Sequence, residues 1–238
     1  MPILFSCYNV RMALDLNPLV YNPSKSHRKT ILIPPESEKL AELIGIIHGD
    51  GGNNNPWQLV ITMNSNSDLE YSQYVKNLIN SLFDIKIAIR KRRNRNAIVL
   101  VSSGRNLIDF LVRKGAVRGN KVKQQIDAPN WIMNNELYKI NFVRGLVDTD
   151  GCLYIHKHFT KQGSKLHQNI GLCFSNSSLN LIKRVSRILK GNKIEPHISK
   201  NKKNVYLYSL KSVKNYLDIF GSSNPRIINK YNEWLNIR

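Results

Sequence analysis

Leu43-Ile44-Gly45-Ile46-Ile47-His48-Gly49-Asp50-Gly51 reads LIGIIHGDG, an apolar helix with a glycine at its centre and an acid at its end. Both features are unfavourable in an ordinary core helix. A glycine costs about 1 kcal/mol against alanine in a helix interior. An aspartate at a helix C-terminus meets the negative end of the macrodipole, where a cation is preferred. The same pattern returns one hundred residues later as VRGLVDTDG, Val143 to Gly151. Two copies of Gly-x-x-x-x-Asp-Gly make chance a poor explanation, because local violations that recur together serve a common purpose.

The repeat extends beyond the motif. SNSDLEYSQYVKNLI from Ser65 matches SNSSLNLIKRVSRIL from Ser175, and SGRNLIDFLVRKG ending at Gly115 matches SLKSVKNYLDIFG ending at Gly221. The second half carries about ten extra residues between motif and helix, expected in the loop around Lys161–Lys165. The organisation reads as an extension over 1–35, a first half over 36–126, a linker over 127–137 and a second half over 138–238. Ser37 is placed to cap the first motif helix. The order expected in each half is αββαββα. Its hairpins include IKIAIR from Ile85 paired with AIVLVSS from Ala97. The expected fold class is α+β.

The glycine and the acid are reconciled if the two motif helices pack together. A glycine removes the side chain that would hold two backbones apart. With Gly45 against Gly145, the helix ends arrive side by side and bring Asp50 and Asp150 together. Two carboxylates at two negative helix ends attract a divalent cation. A calcium-loop reading of DTDG fails, because that loop needs glycine at position six and glutamate at twelve, where Phe159 stands.

The 238 residues include 36 Lys and Arg against 16 Asp and Glu, a net charge of +20. That is more than solubility requires and points to a polyanion, nucleic acid above all. The cysteines are three, Cys7, Cys152 and Cys173. An odd count without CxxC supports neither a disulfide framework nor a zinc site, so free thiols in a reducing, intracellular setting are expected. No apolar run reaches membrane-spanning length, and MPILFSCYNVR is a poor signal peptide for want of a basic start.

The paired motifs, their spacing and the shared downstream elements resemble the LAGLIDADG homing endonucleases of the single-chain, two-motif type. The resemblance runs from about Glu38 to the end. It implies two pseudo-symmetric halves forming a DNA-binding saddle of antiparallel sheets, with helices behind and the motif helices at the seam. It implies Mg²⁺-dependent hydrolysis of one phosphodiester per strand at a long asymmetric duplex site, leaving short 3′ overhangs, by a monomer tied to intron or intein mobility. Mn²⁺ is expected to substitute and Ca²⁺ to bind without supporting cleavage. The metal ligands implied are Asp50 and Asp150, assisted by the carbonyls of Gly49 and Thr149. Asn66 and Asn176 hold the place of a polar residue that organises water. A late basic residue completes each site, Lys121 or Lys123 in the first half and Arg226 or Lys230 in the second. Arginine is a poor base, so Arg226 would make the two cuts unequal. His48 stands where the family carries an acid. An RNA maturase on the same scaffold is the alternative, with intron RNA as partner.

Strand alternation nominates DNA contacts. In IKIAIR the isoleucines share one face, and Lys86 and Arg90 the other. Arg92, Arg93 and Arg95 fall at the hairpin tip. In the second half Tyr154, His156 and His158 share a strand face, followed by Lys161, Gln162 and Lys165, then Lys200, Lys202 and Lys203 at the next turn. His156 and His158 do not read as zinc ligands, since no further ligand follows at a suitable spacing.

Overall fold

Residue Ser37 accepts a hydrogen bond from the Leu40 amide at 3.3 Å and starts helix α1 (Glu38–Gly49). In the computed structural model, which describes residues 28–93, 95–159 and 166–237, the first half continues as β1 (Gly51–Asn55), β2 (Gln58–Asn64), α2 (Leu69–Phe83), β3 (Ala88–Lys91), β4 (Ala97–Ser103) and α3 (Arg105–Arg113). A short helix α4 (Asn130–Met133) lies in the connecting segment. The second half repeats the order as α5 (Glu136–Asp150), β5 (Gly151–Phe159), β6 (Leu166–Ser175), α6 (Leu179–Gly191), β7 (His197–Ile198), β8 (Asn204–Leu207) and α7 (Leu210–Ile219). A last helix, α8 (Pro225–Ile237), has no counterpart in the sequence reading.

Each half folds its strands into an antiparallel four-stranded sheet, in the orders β1-β2-β4-β3 and β5-β6-β8-β7. The period-two pattern decides the faces. Along β2, Leu59, Ile61 and Met63 are buried in the core, whereas Val60 and Thr62 point the other way and are half-buried. The fold is therefore α+β. No helix among the described residues is long and apolar enough to cross a membrane.

Several limits differ from the sequence reading. Strand β3 starts at Ala88 rather than Ile85, because α2 ends at Asp84 in the left-handed region, φ 51°. Ile85–Ile87 are then used to climb from helix to sheet, with Ile87 still buried. Strand β7, which the sequence places near 194–199, shrinks to His197–Ile198, since Pro196 has no N–H to give a ladder. Helix α7, which the sequence places near 213–219, begins earlier at Leu210, because Ser209 caps it through the Ser212 amide at 3.1 Å. Lys161, Gln162 and Lys165 lie outside the described residues, as do Cys7 and most of the 1–35 extension. The hairpin flanking that segment is longer in the second half, with strands of 9 and 10 residues against 5 and 7 in the first.

Helices α1 and α5 cross at their glycines. A Cβ on Gly45 would run into the Phe142 carbonyl oxygen and come within 3.1 Å of the Leu146 nitrogen. A Cβ on Gly145 would meet the Glu42 carbonyl oxygen and stand 3.0 Å from the Ile46 nitrogen. The contact is reciprocal, backbone on backbone, as a pseudo-twofold axis requires. Polar bonds flank it: buried Glu42 pairs with Arg144 at 2.7 Å and accepts from Tyr74 Oη at 2.9 Å.

Candidate active site

The crossing carries both helices to one point. Asp50 caps the end of α1 and Asp150 is the last residue of α5. A Cβ on Gly49 would overlap Thr149 and lie 3.5 Å from the Asp150 carboxyl carbon, so the two ends touch. Gly51 and Gly151 follow because each chain folds back over its own last turn, leaving no room beside Ile47 and Val147 for a side chain. The Asp50 carboxyl is pushed up to about 7, by burial first and then by the neighbouring charges of Asp150 and Asp68. Burial also raises Asp150, against a hydrogen bond from Asn176 and the charge of Lys121. Two crowded, desolvated carboxylates are what a divalent cation would relieve.

One cation reaches each helix end. Lys121 Nζ donates to the carbonyls of Ile47 at 3.1 Å and His48 at 3.0 Å, and to that of Gly49. Burial lowers its pKa, while Asp150 and Asp50 hold its proton on. Arg226 serves α5 in the same way, donating to the carbonyls of Gly151 at 3.0 Å and Asp148 at 3.3 Å. These are the favourable macrodipole partners that the aspartates are not. Lys123 is exposed instead, and Lys230 pairs with Glu233 on the surface at 2.8 Å.

The halves diverge at the next residue. Asn176 Nδ2 donates to Asp150 at 2.8 Å, and its Oδ1 accepts from the Ser178 amide at 2.8 Å. A cleft of about 210 Å³ opens there between Gly49, Lys121, Asp150 and Asn176. Asn66 occupies the matching turn but is exposed, with its amide bonded to Asn64 and its Oδ1 accepting from Ser65 Oγ at 3.4 Å. The polar group near Asp50 is Asp68, which pairs with Arg226 at 3.2 Å and accepts from Asn224 at 2.9 Å. Sequence reasoning passed over both Asp68 and Asn224. Asp68 carried a signal, since it is the acid that stands where Ser178 does in the aligned SNSDL and SNSSL turns.

His48 and Asp148 are a structural pair of equivalents. His48 is buried, its Nε2 donates to the Gly115 carbonyl at 3.1 Å, and burial lowers its pKa to about 4. Asp148 accepts from Ser222 Oγ at 2.5 Å and the Ser223 amide at 2.7 Å. Each ties its motif helix to the segment following the third helix of its own half.

Residues 138–230 match the family model described as a LAGLIDADG-like domain. The chain carries a LAGLIDADG-like domain. A comparison with curated protein sequences returns no match. Among solved structures, the meganuclease I-SmaMI bound to uncleavable DNA superposes with a TM-score of 0.56 at 9% identity, covering 83% of this chain and 89% of that one. The LAGLIDADG homing endonuclease I-LtrWI bound to target DNA gives 0.53 at 12% identity, with the same two coverages, 83% and 89%. I-DmoI in complex with DNA and Mn gives 0.46 at 18%, covering 78% and 97%. The fold is that of the two-motif LAGLIDADG homing endonucleases.

On this LAGLIDADG fold, the other nominated residues that the structure describes lie in or beside the two sheets. Lys86, Arg90, Arg92, Arg93 and Arg95 are exposed around β3 and its hairpin. Lys86 precedes the strand rather than lying in it. Tyr154 and His156 share the outward face of β5, opposite Gly171 and Asn169. Lys200, Lys202 and Lys203 are exposed at the β7–β8 turn. His158 lies in β5, opposite His167.

Proposed function

We propose that this chain is a site-specific double-strand DNA endonuclease of the homing type. The observation that carries the reading is the meeting of Asp50 and Asp150 at the ends of two glycine-packed helices, each end held by a cation. The +20 charge supports a nucleic-acid substrate, and the paired sheets suit two adjacent stretches of major groove. Unlike halves imply an unlike pair of half-sites.

The donor set fits Mg²⁺. Among the described residues no three His, Cys, Asp or Glu side chains group to hold a metal alone, so Asp50, Asp150 and the carbonyls of Gly49 and Thr149 would leave coordination positions for phosphate and water. Bound there, Mg²⁺ or Mn²⁺ supplies charge neutralisation at the phosphodiester and acidifies water. Asn176 orients the Asp150 carboxylate. Lys121, with its lowered pKa, is suited to pass a proton at the Asp150 side. At the other side Arg226 stabilises phosphate charge, since an arginine is a poor base. The two strands are therefore cut at unequal rates.

The test is selection of a bound duplex from a randomised pool, followed by incubation with Mg²⁺. Staggered cutting within the selected site supports the reading. Salt-dependent binding without cutting, with tighter binding to structured intron RNA, replaces it with the maturase.

A further inference from the structure

The two sheets present opposite chemistries on their outward faces. The row that begins one residue after each motif shows it. In the first half the row across the strands is Gly52, Val60, Val101, Ala88. In the second it is Cys152, Cys173, Tyr206, His197. The next first-half row is Thr62, Val99, Arg90. The matching second-half row holds Ser175 opposite Asn204, and in the other direction β5 carries Tyr154 opposite Gly171 and His156 opposite Asn169. Val60, Thr62 and Val101 are half-buried, and their core-facing neighbours Leu59, Ile61, Ile98 and Leu100 are fully buried, so the assignment of faces is secure.

The centre of the first sheet is thus small, β-branched and uncharged, inside a rim of exposed Lys86, Arg90, Arg92, Arg93 and Arg95. Phosphates take the rim. The centre meets the floor of the groove, where the apolar group on display is the thymine 5-methyl. Small side chains also let the sheet approach those methyls closely. The second sheet offers hydrogen-bonding groups at matching places, Tyr206, His197, Ser175 and Asn204, and an asparagine amide suits adenine.

We propose that the first half recognises a thymine-rich half-site by methyl contact through Val60, Thr62 and Val101, while the second half reads its half-site by hydrogen bonds. The proposal rests on the endonuclease reading and names its substrate more closely. It requires no contact from the basic rim to any base.

The experiment uses the intact chain and duplexes selected from a randomised pool, with Ca²⁺ in place of Mg²⁺. Thymines are replaced by deoxyuridines in one half-site at a time, which removes the methyl and keeps the base pair. One half-site is expected to lose binding by about fourfold per thymine, the value of one buried methyl, and the other to be nearly indifferent. The V60A/V101A variant maps the effect: it should bind the uracil duplex as the wild type does and gain little from the methyls. Uracil-indifferent binding in both half-sites, or a methyl effect untouched in V60A/V101A, overturns the proposal although a site is selected and cut. Failure to select or cut any duplex overturns the endonuclease reading with it.

Discussion

Substituting Gly145 by alanine tests the helix crossing on which the whole site depends. On helix propensity alone, G145A should stabilise the protein by about 1 kcal/mol. The structure reverses the sign. The new Cβ would overlap the Glu42 carbonyl oxygen, with the Ile46 nitrogen at 3.0 Å and the Glu42 carbonyl carbon at 3.2 Å. Ordinary contact needs about 3.5–4.0 Å. These are backbone atoms inside a helix and cannot turn aside, so α1 and α5 must separate by roughly 0.5–1 Å. Forced overpacking of this kind typically costs about 1–3 kcal/mol. Against the propensity gain, a net loss of up to about 2 kcal/mol remains, or a fall in Tm of up to about 8 °C for a chain of this size. Cleavage should suffer more than stability, since a displacement near 1 Å at the reacting groups costs about 100-fold. Thermal unfolding and single-turnover cleavage read the two effects. A Tm above wild type with cleavage intact would refute the close crossing.

Three further perturbations follow from the site. The raised pKa of Asp50, about 7, means that the metal-free fold loses stability as pH rises from the unfolded value of about 4 towards 7. The Tm of D50N should therefore exceed that of wild type at pH 8 without metal and converge on it near pH 4; a gap that widens on acidification contradicts the assignment. Removing the 2.8 Å bond from Asn176 should raise the Asp150 pKa and move the acid limb of the cleavage–pH profile of N176A upward, whereas N66A, whose side chain bonds within its own turn, should leave that limb in place. K121M removes the cation at the Asp150 cleft and should slow cutting of one strand by about 100-fold or more, so that nicked circles accumulate from a supercoiled substrate; equal slowing of both strands would show that Lys121 does not serve one site.

The motif helices were legible in the sequence because their pattern is set by a contact between two copies of itself. Glycine at the crossing, aspartate at the end and glycine at the exit are required twice, so the repeat exposes them. The sheets were legible through strand alternation, while strand limits moved, among other places, where Asp84 and Pro196 intervene. What remained hidden depends on contacts distant along the chain. Asn224 reaches Asp68 across 156 positions, and Ser223 reaches Glu42 across 181. The segment after α3 grips the other half in return, where Gln125 accepts from the Leu179 amide at 2.8 Å and Arg184 clasps Asp127. This exchange between halves selects Lys121 over Lys123 and Arg226 over Lys230 as the cations at the helix ends. No local pattern encodes it. Helix α8 was missed for a related reason: its buried residues Ile227 and Trp234 pack on the second half rather than continuing the repeat.

The central claim is that one centre, built from both helix ends, cleaves DNA. The measurement that tests it most directly is Mg²⁺-dependent cleavage of a selected duplex by wild type, D50N and D150N, with binding followed in parallel. The account predicts that the wild type cuts both strands and that each variant binds the duplex without completing the double-strand break. Double-strand cutting by D50N or D150N at the wild-type rate would contradict it.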